Sequence, residues 1–275
     1  PLLAIYGEQG SAKSSATRIL RELIDPNRAP LRSEPKDARD LMIAATNSWI
    51  VTAENMSSVS PWLSDAFCRL STGGGFATRE LYSDGEEKLF DAQRPVILNG
   101  IIEVVQRPDL ADRTIAVTLP TIPEQNRLPE SALRERFLTA RPRILAGLLD
   151  AVSTSLRRLP TTILSSMPRM ADFALWATAA EPALGVADGS VMAAYSGNRE
   201  ALNETALESS IIAPFVLKLL EQPPTVWEGT ACELSKKLTG LAPEEVIRQR
   251  DWPQKPQTVS ALLRRIAPNL RRSGV

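Results

Sequence analysis

Residues 2–15 read LLAIYGEQGSAKSS: an apolar run from Leu2 to Tyr6, a loop of small residues, then the pair Lys13-Ser14. Counted from Gly7, the loop follows the phosphate-binding pattern G-x-x-x-x-G-K-[ST], with Ala12 in the place of the second glycine. Leu2 to Tyr6 predicts a buried strand. From Lys13 the run KSSATRILRELI predicts a helix with Ile19, Leu20, Leu23 and Ile24 turned inward. Strand, loop and helix in that order let backbone N–H groups of residues 9–13 and the positive end of the helix converge on a β-phosphate. Gly7, Glu8, Gln9, Gly10, Ser11, Ala12, Lys13, Ser14 and Ser15 form the expected cradle. Lys13 would reach the β/γ oxygens and the Ser14 hydroxyl would take Mg²⁺. The chain is expected to bind a nucleoside triphosphate, or to descend from one that did.

The totals bound what surrounds this motif. At 275 residues the chain has room for about two domains. Hydrophobic content of 43% supports real cores, and 23% charged residues are ordinary for a soluble protein. A net charge of zero excludes a wholesale nucleic-acid coat, so any basic surface is local. The absence of histidine removes His-based triads and ordinary zinc sites. Cys68 and Cys232 lie far apart in predicted helices and read as core thiols of a reducing, cytoplasmic compartment. No run approaches a membrane span, and no signal peptide is seen. Pro1 opens inside the first strand and Val275 follows directly on a helix, so a piece of a longer protein is expected.

Further along, residues 37–48 (DARDLMIAATNS) suit a helix capped by Asp37, and Trp49 to Ala53 a second buried strand ending in Glu54-Asn55. Ser60-Pro61 opens a helix through Leu70, and Gly73-Gly74-Gly75 breaks it. FATRELYS, Asp84-Gly85 and EEKLFDAQ make a hairpin signal, carrying Lys88. PVILNGI is a third buried strand carrying Asn99. After a short helix and PDLADR, TIAVTLP is a fourth. Buried strands alternating with helices predict a parallel sheet wrapped by helices. From Pro123 strands vanish: helices are expected over 130–158 with a break at Pro142, over 168–181 opened by Pro168, and over 188–221 interrupted near Pro214.

The last fifty residues read as three short helices, 228–238, 243–249 and 257–270. In the third, Val259, Leu262, Leu263 and Ile266 repeat on one face, and Arg264 and Arg265 fall off it. Residues 225–275 hold nine Lys/Arg against five Asp/Glu, a basic excess inside a neutral chain. That is the helix-turn-helix plan, winged or not. The fold expected is therefore α/β: a P-loop parallel-sheet core (1–122), a helical lid (123–222) and a winged-helix-like DNA-binding unit (223–275).

The chain resembles the AAA+ ATPases of prophages and other mobile elements, and within them the helicase-like part of primase–helicase or replication proteins. The resemblance is carried by GEQGSAKSS, by the stretch AENMSSVSPWLSDAFCRLSTGGGFATRELY, by PVILNGI, RPDLADR and PRMADFALWA, in that order over residues 2–180. It implies ATP and Mg²⁺ as cofactors, DNA as partner and a homo-oligomeric ring. It also assigns roles. Asn99 is the sensor orienting the attacking water, Arg113 the arginine finger reaching a neighbouring subunit, and Arg169 the second sensor on the lid. The Asp84-Gly85 hairpin corresponds to the one that helicase-type members carry into the central channel. Where that family ends its second-motif strand with Asp-Glu or Asp-Asn, this chain has Glu54-Asn55: Glu54 can still hold a magnesium water but Asn55 cannot act as a base, so either Glu54 serves both needs or hydrolysis is slow.

The function expected is an ATP-hydrolysing, helicase-like motor acting on DNA in the replication of a mobile element or prophage. The alternative is a nucleotide-gated DNA-binding regulator with a weakened ATPase site, motivated by Ala12 and Glu54-Asn55. A small-molecule kinase using Arg141 and Arg143 of a helical lid is disfavoured by the hairpin and the tail. Arg264, Arg265, Arg271 and Arg272 are the tail residues expected to meet phosphates, with Lys88 in the hairpin.

Overall fold

The computed structural model describes residues 1–74, 92–100, 105, 107–221 and 226–275, and the backbone of 76–79 and 87–90. The core is a four-stranded parallel sheet in the order β2-β5-β1-β6, built from β1 (Leu2–Tyr6), β2 (Val51–Met56), β5 (Val96–Gly100) and β6 (Thr114–Thr118). β1 lies between β5 and β6, in register from Leu2↔Val96 to Tyr6↔Gly100 and from Leu2↔Thr114 to Tyr6↔Thr118. A strand buried on both faces has no polar alternation, which is why LLAIY and VILNG read as continuous apolar runs. The second strand begins at Val51, two residues later than expected, since Trp49 is exposed and lies under the Arg94 guanidinium. β3 (Phe76–Arg79) and β4 (Glu87–Phe90) pair antiparallel as the hairpin signal predicts; its Asp84-Gly85 turn lies outside the described residues.

α1 (Lys13–Ile24) packs on β1 and β5. The inward face is only partly the apolar one. Leu20 packs against the Ile5, Ile50 and Ile97 cluster and Leu23 is buried, but Ile24, last in the helix, is 53% exposed. Thr17 and Arg21 are buried instead, and Arg21 is wholly out of solvent. Its guanidinium donates to the carbonyl oxygens of Ile50 and Asp25 and pairs with the Asp25 carboxylate at 3.2 Å. Asp25 in turn accepts the Ile50 N–H at 2.9 Å. Burial pulls the Arg21 pKa down, Asp25 pulls it back up, and Arg32 lowers it again. The end of α1 is thereby tied to the start of β2.

α2 (Ala38–Thr46) is capped by Asp37, whose carboxylate accepts the Asp40 N–H at 2.8 Å. α3 (Pro61–Thr72) starts on Pro61 and ends on Gly73 in the left-handed region. α4 (Pro108–Ala111) is a single turn. α5 (Glu130–Arg158) runs unbroken through Pro142, against expectation. A mid-helix proline costs about 3 kcal/mol, and 29 continuous residues hold the helix on both sides. α6 (Ala171–Ala179) begins three residues after Pro168. α7 (Glu181–Leu184) offers the buried Glu181 carboxylate to the Gly189 and Val191 N–H groups that start α8 (Ser190–Glu208). On α8 the Asn198 amide both accepts from and donates to the Ala116 backbone, at 2.9 and 2.6 Å. It occupies the exposed edge of β6 as another strand would.

The contacts divide the chain into two compact units, 1–104 with 112–199, and 105–111 with 200–275. The expected boundary at 222/223 is displaced, because α9 (Ala213–Glu221) belongs to the terminal unit. Ile212, Ala213 and Val216 pack in one core with Leu234, Leu238, Trp252, Val259, Ile266 and Leu270. That core is closed by α10 (Ala231–Leu241), α11 (Glu244–Ile247) and α12 (Pro256–Arg272). α10 opens with a reciprocal capping box between Thr230 and Glu233, and Thr230 holds the Glu233 carboxyl below its ordinary pKa. No strand occurs among the described residues of this unit, so the expected wing is not found there. Cys68 is buried, but Cys232 is exposed and is not a core thiol. Among the described residues no helix is long and apolar enough to cross a membrane.

Removing Arg21 strands Asp25 without its buried partner. Arg21→Met is expected to cost about 3–5 kcal/mol in urea unfolding, and a loss under about 1 kcal/mol would show that the pair does not fasten α1 to β2.

Candidate functional site

All four core strands run parallel, so their carboxyl ends share one edge of the sheet. The loop after β1 is shaped there by backbone conformations that side chains resist. Gly7 has φ +147°, and a Cβ on it would sit 2.6 Å from the Leu119 carbonyl oxygen and 2.6 Å from Ser11 Oγ. Gly10 has φ +86°. Ala12 stands at φ 60°, ψ 29°, a left-handed position that costs a non-glycine residue about 1 kcal/mol. The departure from the glycine pattern is therefore accommodated at the geometry a glycine would take.

Lys13 folds over the loop, its Nζ donating to the carbonyl oxygens of Gly7 at 2.5 Å and Glu8 at 2.8 Å. Ser11 is buried and its Oγ donates to the Glu8 carbonyl at 2.8 Å. Behind the loop, the N–H groups at the start of α1 lack intrahelical acceptors; no side chain caps them and no acid stands in the first turn. Ser14 is half-buried on that first turn. Ser15 instead lines a groove with Arg18, Ile19 and Leu133, between α1 and α5.

Glu54 and Asn55 stand on the same edge. The β2–β5 register runs Ala53↔Leu98 and then Met56↔Gly100, so Glu54-Asn55 holds one extra residue, a bulge. Asn55 takes φ +56° to make it. Bulges re-aim side chains at strand ends, and here the half-buried Glu54 comes out of the ladder. Asn99, on the intervening strand, is 1% exposed. Its Oδ1 accepts the Asn55 N–H at 2.9 Å and its Nδ2 donates to Thr17 Oγ1 at 3.2 Å. One amide thus ties the bulge, β5 and α1 together.

The other residues named from sequence lie elsewhere. Arg113 precedes β6 and lines a cleft of about 280 Å³ with Pro1, Gln93 and Arg169. This is the amino edge of the sheet, a strand length or roughly 16 Å from the 7–15 loop. Arg169 pairs with Asp112 at 3.6 Å, and Asp112 also receives Arg199 at 3.5 Å. Arg169, in the turn before α6, thus stands at the opposite edge of the sheet from the chain's own 7–15 loop. Lys88 faces Thr78 in the β3–β4 ladder. Arg264, Arg265, Arg271 and Arg272 are exposed on α12.

The sequence reading missed the segment after β6. Leu119 N–H donates to the Tyr6 carbonyl at 2.9 Å and Ile122 N–H to the Gly10 carbonyl at 3.2 Å. Thr121 Oγ1 meets the Glu8 carboxylate at 3.4 Å, and an Arg127 Nη lies 3.2 Å from where a Gly10 Cβ would be. A proline-spaced loop (Pro120, Pro123, Pro129) gives no periodicity to mark such residues. Thr17, the partner of Asn99, was likewise hidden, since a threonine inside an amphipathic helix carries no signal of its own.

The family model of actinomycete integrative conjugative element replication proteins matches residues 1–205, and that of the AICE RepA C-terminal domain matches residues 212–275. No curated protein matches the sequence. Among solved structures, the chain is similar to SCCmec type IV Cch, described as an active helicase, at 12% identity and TM-score 0.46. The match covers 99% of this chain and 57% of that one, so the chain spans little more than half of that protein's length. It is also similar to a DNA polymerase III gamma subunit-related protein from Thermotoga maritima, at 13% identity and TM-score 0.32, over 98% of this chain and 94% of the other.

Proposed function

The chain belongs to the replication proteins of actinomycete integrative conjugative elements, and from that premise we propose that it binds MgATP at the 7–15 loop and hydrolyses it as an oligomeric, helicase-like motor of the AAA+ type on DNA. The observation that carries this reading is the loop itself: three left-handed positions at Gly7, Gly10 and Ala12, with Lys13 across the carbonyls and an uncapped helix start behind them. ATP brings the phosphoanhydride bond and magnesium offsets its charge. The chain's own residues bind and position. First-turn N–H groups of α1 and Lys13, released from the Gly7 and Glu8 carbonyls, hold phosphate oxygens. Ser14 and Glu54 hold the metal, and Asn99, by fixing the Asn55 N–H, sets where Glu54 stands. Glu54 is also the carboxylate assigned to accept the proton of the attacking water, since Asn55 has no basic oxygen.

Arg113, a strand length from the loop of its own chain, is assigned to the nucleotide of a neighbouring copy, with Arg169 beside it. The exposed arginines of α12 are assigned to DNA phosphates, and the β3–β4 hairpin with Lys88 to a second DNA contact.

Lys13→Ala is expected to abolish MgATP binding in calorimetry, because the cation of the cradle is lost; equal affinity in both proteins sinks the phosphate-loop reading.

Arg113→Ala is expected to bind ATP normally and lose turnover. Mixed with Glu54→Gln protein, it should regain activity at hybrid interfaces. A mixture that stays inactive while both variants assemble excludes action in trans.

Replacing Arg264 and Arg265 with Ala should weaken duplex binding and flatten the slope of log K against log salt by up to about two units, at about 0.9 per phosphate contact. ATP affinity should not change, since the loop lies in the other compact unit. An unchanged slope moves the DNA contact to the hairpin.

A further inference from the structure

We propose that Arg127 is a second phosphate-binding cation of the nucleotide site, acting within its own chain beside Lys13. The inference rests on the reading that the 7–15 loop holds a nucleoside triphosphate, and goes beyond it in assigning a residue outside every motif of the sequence.

Arg127 approaches the loop where the loop has no side chain. Its Nη2 lies 3.2 Å from the point a Gly10 Cβ would occupy, with the Thr121 methyl at 3.7 Å from the same point. A side chain at Gly10 would crowd the guanidinium and push it back by a few tenths of an ångström, on top of the strain of its positive φ. The segment that brings Arg127 there is fastened to the loop along its length. Leu119 bonds the last residue of β1, Ile122 bonds the Gly10 carbonyl, and Thr121 bonds Glu8.

The guanidinium is held at one corner. Arg127 Nε donates to the Ile122 carbonyl at 3.2 Å, while Nη1 reaches Glu124 only at 3.7 Å. That carboxylate is 88% exposed and Arg127 itself 51%, so the pair is a solvent-screened contact worth little and readily exchanged for a better anion. A fork anchored through Nε has lost part of its rotamer freedom in advance, and its Nη groups suit the paired oxygens of a phosphate. Beside the magnesium assigned to Ser14 and Glu54, Lys13 is the other side-chain cation assigned to the phosphates within the chain.

The geometry admits a different role, in which Arg127 merely clamps the 119–127 segment onto the loop. Charge separates the two, because a clamp needs the Ile122 hydrogen bond and a phosphate ligand needs the cation. The test is calorimetric titration of the full chain with ATP, ADP and adenosine, for wild type, Arg127→Gln, Arg127→Lys and Lys13→Ala, alongside thermal unfolding of each protein without nucleotide. Arg127→Gln is expected to weaken ATP and ADP about tenfold, as for a lost charged hydrogen bond, with adenosine affinity and nucleotide-free Tm unchanged. Arg127→Lys, which restores the charge without the Nε–Ile122 tie, is expected to recover part of the ATP affinity. Unchanged ATP affinity in Arg127→Gln, with binding lost in Lys13→Ala, overturns the proposal and leaves the phosphate-loop reading standing. A drop in Tm with equal losses for ATP and adenosine assigns the clamp and also overturns it. Absence of ATP binding in wild type removes the underlying reading instead.

Discussion

A buried guanidinium sets the geometry on which the sheet edge depends. Arg21 sits without solvent between the end of α1 and the start of β2, bonded to the carbonyls of Ile50 and Asp25 and paired with the Asp25 carboxylate. A charge taken out of water is costly unless every donor is met, and such a pair contributes little net stability compared with an apolar equivalent. What it supplies here is position. It fixes the direction of α1 at one end, and Thr17, a turn earlier, fixes it at the other through Asn99 and the Asn55 N–H. Helix start, the loop before it and the Glu54-Asn55 bulge are held to one another by these two ties. Removing either would disturb the carboxyl edge without touching the 7–15 loop itself.

The charges of the larger unit are sorted by sheet edge. At the carboxyl edge stand Lys13, Glu54 and Arg127; at the amino edge stand Arg113 and Arg169, with Asp112 among its arginine neighbours. Strands of five or six residues separate the two groups, and the rigidity of a parallel sheet keeps them apart. The proposed action of Arg113 on a neighbouring copy starts from this separation, since a head-to-tail contact would bring one edge to the other. The net charge of zero hides this arrangement, since the separation is spatial and not compositional.

The terminal unit follows a different logic. It has no sheet among its described residues and is stabilised by one apolar cluster drawn from α9, α10 and α12, with Trp252 edge-on to Phe215. Recruiting α9 and the residue before it supplies Ile212, Ala213 and Val216 to a core that α10, α11 and α12 alone would leave thin. The arginines of α12 are left outside, on the face opposite Val259 and Ile266.

The sequence by itself determined what short-range chemistry encodes. Glycine spacing and the Lys-Ser pair marked the strand, loop and helix over 2–24; apolar runs gave the four strands; Asp37 and Pro61 gave helix starts; the spacing of Val259 and Ile266 gave the buried face of α12. Each is a pattern of near neighbours, set by dihedral preference or by the period of a helix or strand. Tertiary structure alone decided the contacts between residues far apart in the chain. It buried Arg21 while exposing Ile24, engaged Asn99 with Thr17 across 82 positions, carried α5 through Pro142, put Arg169 at the amino edge, gave α9 to the terminal unit and laid Arg127 on Gly10. The physical reason is common to these. Whether a polar group is buried, and beside what, depends on which distant segment the packed sheet and helices bring to it, and no local periodicity records that.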